Sequence, residues 1–196
     1  MSDTGGRPRG RPRNEQTRDA ILSAAFELGA SDDAQDFSVA GIAALAGVSK
    51  QTVYRWWPSK GDVLLEAIAR NADIKVPTVD HGSYEQDLFW FMKVTYDELK
   101  RPGMRIALRN LMAQSQQDQE FQGRFRQGLI DRRRAALHVI VKRADERGDL
   151  PPGLSHDLIG DVVAGVHWYR LLATGRPLDD GDAEALAGFL AQRPQP

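Results

Sequence analysis

The chain contains no cysteine. Disulfides, thiolate catalysis and cysteine-ligated metals are therefore excluded, and a reducing cytoplasm is the expected compartment. Histidine is scarce as well. His81, His138, His156 and His167 are the full set, and none pairs at ligand spacing with another histidine or a motif acid. No metal site and no cofactor is expected. No apolar run approaches the roughly 20 residues of a membrane-spanning helix, so no membrane partner is expected. The basic N-terminal residues lack a following apolar stretch, and no secretory signal is expected. Nucleophile-elbow, phosphate-loop and internal-repeat patterns are missing. His156 lies near Asp157 and Asp161, but at a helix start that grouping reads as capping and dipole stabilisation. Catalysis is rejected on these grounds. The formal net charge is only -1, so any polyanionic partner must be met by local charge rather than by the balance of the whole chain.

What is present is helical periodicity, with no convincing strand, and the expected fold class is all-α. Helices are predicted from about Glu15 to Leu28, over two short segments after Ser38, and from Lys60 to roughly Asn71. After a linker at Val76–Gly82, further helices are predicted over about 83–100, from Pro102 or Gly103, over about 119–147, 155–173 and 181–192. The chain thus divides into a disordered basic arm (1–14), a small helical domain with a connecting helix (15–72) and a larger helical domain (73–196).

Residues 38–66 carry the most specific pattern. Ser38 is a good N-cap for a helix beginning at Val39, with Ile42 and Leu45 on one face. Gly47 follows where a left-handed backbone is needed, and Val48 plugs the turn. Ser49 caps a second helix with Val53 and Trp57 inward and Lys50, Gln51, Thr52 and Arg55 outward. Pro58 stops it, and Ser59 with Asp62 opens the next helix in the manner of a capping box. Lys50, Arg55 and Lys60 occur with no acid between residues 49 and 60. This is how a helix-turn-helix reads when its second helix enters the DNA major groove.

The run Gly47-Val-Ser-Lys-Gln-Thr-Val-Tyr-Arg-Trp-Trp-Pro-Ser-Lys60 closely resembles the signature of the tetracycline-repressor-like (TetR/AcrR) transcriptional regulators. The detailed resemblance covers about residues 16 to 70, and the rest is similar only in length and helical character. It implies a three-helix DNA-binding domain, a connecting fourth helix, and a C-terminal helical domain that dimerises and binds a small ligand. It further implies that Tyr54 and Lys60 contact phosphates while Lys50, Gln51 and Thr52 read bases. The chemistry agrees. Lysine and phenol donate to phosphate, glutamine pairs with adenine, lysine with guanine, and a threonine methyl meets thymine. Ser38, Ser49 and Arg55 complete the expected DNA-contact set. The chain departs from the family in three places. The loop Ser31–Phe37 is acidic and lacks a Gly-aromatic pair, Trp56-Trp57 replaces a His or Tyr followed by Phe, and Gly61 stands where an acid is common. These departures bear on base preference, not on the domain's identity.

The segment Arg7-Pro-Arg-Gly-Arg-Pro-Arg13 reads as extended, because prolines and a glycine oppose a helix. Its core resembles an AT-hook, which would lay Arg9 and Arg11 into a narrow A·T minor groove. A basic tail that raises affinity without choosing sequence is the other reading.

In the C-terminal half the helix over 155–173 is apolar on more than one face, and Gly160 and Gly165 allow close approach. A second copy is expected to cover it, in a four-helix interface with Leu186, Phe189 and Leu190. The other reading is a core helix of a monomer. A homodimer would place two recognition helices one DNA turn apart on a palindromic operator. Phe89, Trp90, Phe91, Met92 and Tyr96, with Met104, Met112, His167 and Trp168, are the candidates for a pocket taking a small hydrophobic effector. Arg132-Arg133-Arg134 reads as a solvated face, with a DNA or acidic-ligand role as the alternative. Two functions follow. The preferred one is a ligand-responsive dimeric repressor. The other is an architectural binder of A·T-rich DNA, without an effector, whose arm dominates.

Overall fold

A computed structural model describes residues 11–31, 36–71 and 78–192, without the side chains of residues 11–13 and Asn71. Among the described residues all regular secondary structure is helical, with no strand. Helix α1 (Arg11–Gly29) starts four residues before the expected Glu15. Pro12 falls in its first turn, where a missing N–H breaks no hydrogen bond, so the proline does not enforce an extended chain there. The expected arm is therefore helical from Arg11 onward. Arg9, the side chain of Arg11 and most of the acidic loop lie outside the described residues.

Helices α2 (Val39–Leu45), α3 (Lys50–Tyr54) and α4 (Lys60–Asn71) follow as the spacing predicts. In the larger half come α5 (Tyr84–Leu99), α6 (Met104–Gln117) and α7 (Gln119–Phe125). A wide π-helical turn, Arg126–Ile130, joins α7 to α8 (Asp131–Arg147). The long helix expected over 119–147 is thus one path with a widened turn inside it. A second such turn, Arg170–Thr174, ends α9 (His156–Tyr169) before α10 (Asp180–Ala191). Caps mark most starts: Ser83 accepts from Gln86 N–H, Ser155 from Leu158 N–H, and Asp179 and Asp182 form a reciprocal capping box.

Two apolar cores hold the molecule. The second is built from α5, α8, α9 and α10, with Tyr84, Leu88, Tyr96, Ile140 and Ile159 at its centre. The first crosses the expected boundary at residue 72. It joins Ile21, Ile42, Val53, Trp57 and Leu64 of α1–α4 to Leu108, Leu111, Phe121, Phe125 and Leu129 of α6, α7 and the first wide turn. The start of α4 is pinned by a polar clamp. Ser59 Oγ accepts from Asp62 N–H at 3.3 Å and donates to Asp62 Oδ2 at 2.6 Å. Arg124 of α7 then grips the same buried carboxylate, Nε to Oδ1 at 2.6 Å and an Nη to Oδ2 at 3.1 Å.

Gly61, the family departure, has a steric reason. A Cβ there would lie 2.8 Å from the Phe121 ring, which is fully buried. Gly61→Ala is expected to destabilise the protein by about 1–2 kcal/mol, overpacking outweighing the gain in helix propensity. Thermal or denaturant unfolding checks this, and a more stable variant would show that Phe121 yields freely.

Candidate nucleic-acid interface and interior cavity

The α2–α3 unit is built by its two serines. Ser38 Oγ accepts from Gly41 N–H at 3.0 Å, and Ser49 Oγ accepts from Thr52 N–H at 3.2 Å. Gly47 sits between them at φ 66°, and Val48 N–H returns to the Ala43 carbonyl at 2.9 Å. Val53 and Trp57 are buried, fixing which face of α3 turns outward. Trp57 Nε1 donates to Glu66 at 2.8 Å, and Arg18 pairs with the same carboxylate at 2.7 Å. This network locks α3 onto α1 and α4.

The outward face holds Lys50, Gln51 and Arg55, all exposed, and Tyr54, which is 56% exposed. Other expected contact residues are already partly engaged. The Thr52 hydroxyl lies 3.0 Å from Ser49 Oγ, which leaves its methyl as the freer group. Arg55 stacks on Trp56, 5.0 Å from the ring centre, so the half-buried indole serves as a platform for the cation. Lys60 donates to the Phe37 carbonyl at 3.0 Å and lies over the Phe37 ring, tying the loop before α2 to α4. Its ammonium keeps two further donors for a phosphate.

A second site lies inside the larger half. A cavity of about 110 Å³ opens between α5, α8 and α9. Its wall is mostly apolar and includes Phe91, Met92, Tyr96, Met104, His167 and Trp168 from the expected set. Phe89, Trp90 and Met112 are not in the wall. Trp90 faces outward and stacks on His81 at 5.4 Å, Phe89 meets the edge of Trp90, and Met112 packs against the first core. Helical position decides this: α5 turns Phe91, Met92, Thr95 and Tyr96 inward and leaves Trp90 outside. Among the contributors that the sequence reading did not name are Ile68 of α4, Thr95 of α5 and Arg133 of α8. The guanidinium of Arg133 donates to the Thr95 hydroxyl and lies over the Phe91 ring. His167 is held neutral, its pKa pushed down to about 3 by burial and then by the positive charges of Arg133 and Arg105.

Residues 78–190 match a family described as tetracyclin repressor-like, C-terminal domain, and residues 21–68 match bacterial regulatory proteins, tetR family. The chain belongs to the TetR family of transcriptional regulators. An uncharacterized HTH-type regulator of Bacillus subtilis, YdeS, is 32% identical over 173 residues, covering 88% of this chain and 86% of its own length. A DNA-binding transcriptional repressor, TetR of Mycobacteroides abscessus, is 28% identical over 86% of this chain and 88% of that protein. The crystal structure of the TetR family regulator SCO0332 superposes with a TM-score of 0.72 at 27% identity, covering 92% of this chain and 100% of that one.

As a TetR family member the protein is a ligand-responsive DNA-binding regulator of the repressor type. The architectural reading gives way, because the C-terminal half matches the repressor-like domain over nearly its whole length. Among the described residues no helix is long and apolar enough to cross a membrane.

Gln51 and Tyr54, both exposed on α3, are expected to have separable roles. Gln51→Ala is expected to change base preference at one position per half-site, and Tyr54→Ala to weaken binding to all duplexes alike. Binding selection with randomised duplexes distinguishes them. An unchanged preference in Gln51→Ala would mean that α3 docks in another register.

Proposed function

We propose that this TetR family regulator binds a palindromic operator as a homodimer and is released when a small apolar molecule enters the cavity. The observation that carries the reading is that α4 belongs to both sites. Its start lies beside Lys60 and the DNA-binding surface, and its Ile68 forms part of the cavity wall. A ligand that displaces Ile68 or Leu129 pushes on the helix that positions α3. The ligand must prefer the conformation that DNA does not, and the coupling is reciprocal. Arg124 transmits the motion by holding the first turn of α4 to α7.

The dimer reading rests on apolar surface left bare by the chain's own packing. Leu158, Tyr169 and Leu172 near α9 and Phe189 of α10 are exposed, Phe189 at 66%. A Cβ at the exposed Gly165 would meet nothing within 4 Å among the described residues, so its small size serves no contact inside one protomer, whereas Gly160 is buried and lines the cavity. Leu190 and Leu186, expected at the interface, face inward instead, because α10 lays that side onto α5. The exposed set suits a second copy, which would space two α3 helices one DNA turn apart. Arg9, preceding α1 in sequence, and Arg11, its first residue, would add minor-groove or backbone contacts.

Genomic fragments retained at near-physiological salt are expected to contain a palindrome with half-sites about 34–36 Å apart. With that operator as probe, Arg124→Ala should lower affinity several-fold while leaving the salt dependence unchanged, since Arg124 positions α4 and touches no phosphate. A reduced salt slope would instead make Arg124 a direct DNA contact. Phe189→Glu should convert the dimer to monomer in sedimentation with unaltered helicity. A variant that stays dimeric would place the interface elsewhere.

A further inference from the structure

The three consecutive arginines of α8 meet three different fates. Arg132 is exposed to solvent. Arg134 is neutralised by Asp157 at 3.0 Å and Asp161 at 3.1 Å. Arg133 turns into the cavity wall, where its hydrogen bond goes to a neutral hydroxyl, that of Thr95. Thr95 in turn donates to the Phe91 carbonyl at 2.9 Å, so its oxygen is aimed at the guanidinium. Among the described residues no carboxylate lies within 4.0 Å of Arg133, so most of its five N–H donors have no anion in contact, and Glu98 acts on it only at longer range. The acid in the same wall, Glu98, is engaged by Arg101 at 2.9 Å. Burial pushes the Arg133 pKa down to about 10, yet the group stays cationic at neutral pH.

One further polar atom of this wall lacks a partner. His167 Nδ1 is buried without a hydrogen bond and lies within the field of Arg133, whereas the unpartnered Tyr96 hydroxyl is turned toward Asp182 and Arg170. A neutral imidazole donates through one nitrogen. Orphaned buried groups of this kind are costly unless something else satisfies them. The remaining wall is apolar, with Met92, Leu108, Leu129, Val163 and Trp168. A cavity of about 110 Å³ is compact. An enclosed apolar space of roughly 150 Å³ admits a benzene ring. The thioethers of Met92 and Met104 can shift to supply the difference.

We propose that the effector is a compact apolar carboxylic acid, its ring or short chain in the apolar part of the cavity and its carboxylate on Arg133, with His167 as an auxiliary donor and Thr95 as the positioning residue. This rests on the cavity being the effector site. A cationic ligand meets like charge here, and a neutral one leaves the guanidinium unpaired.

The test is calorimetric titration of the full chain near neutral pH with paired probes, benzoate against benzyl alcohol and hexanoate against hexanol. The acids should bind at least about tenfold more tightly than their alcohols, as a charge-assisted bidentate contact in an apolar wall implies. Arg133→Met should erase that preference while the alcohols bind as before, and Arg133→Lys should keep part of it. The acid–alcohol comparison in the unaltered protein decides the matter even if a variant fails to fold. Equal binding of acid and alcohol, an acid preference that survives Arg133→Met, or no acid binding at millimolar concentration overturns the proposal. Operator release is read in parallel. Acids that bind through Arg133 without releasing DNA would leave the anion site standing and refute the effector reading. Alcohols that bind as well as acids and release DNA would do the reverse.

Discussion

The buried carboxylate of Asp62 holds three parts of the molecule in register. It closes the first turn of α4 through Ser59, and it receives the fork of Arg124 from α7. An exposed ion pair contributes little to stability, but a nearly buried bidentate one fixes geometry, because removing either partner strands a charge away from water. Around it the Phe121 ring packs against Gly61 so closely that no side chain fits there. One polar contact and one steric contact thus set where α4 begins, and α4 sets where α3 lies.

From that anchor the polar groups of the DNA-binding half sort themselves. Ser38 and Ser49 are consumed by capping, Trp57 by Glu66, and Lys60 in part by the Phe37 carbonyl. What remains exposed on α3 and its C-cap is a short cationic and aromatic strip of Lys50, Gln51, Tyr54 and the Trp56-stacked Arg55. A near-neutral chain can therefore present a locally basic face to a duplex, where phosphate contacts set the register and base edges set the choice of sequence.

The DNA-binding half was legible because its signals are local. A cap, a glycine at positive φ and an apolar pair four residues apart act within one turn of chain, and α2, α3 and α4 begin where Ser38, Ser49 and Lys60 predict. The cavity was legible only in part. Met92, Tyr96, His167 and Trp168 line it, but equally aromatic neighbours such as Trp90 do not, since composition carries no information on the rotation of α5. Ile68 and Arg133 were hidden for opposite reasons. One looks like ordinary core of the first half, and the other sits in a run of charge that resembles a wet surface. The widened turn at Arg126–Ile130 was missed because the sequence reading ran one regular helix through it, although a single inserted residue rotates the apolar stripe by about 100°.

Because the first core runs across the linker, the DNA-binding half does not own its interior. Leu64 and Val63 are covered together with Leu108, Leu111, Phe121 and Phe125 from beyond residue 100. A fragment cut at residue 72 would carry a recognition helix and lose the packing that steadies it. Exchanging reading heads between relatives would accordingly demand a junction that takes α6 and α7 along with α1–α4. The modular appearance of the chain in one dimension dissolves in three, because the two halves share one apolar core.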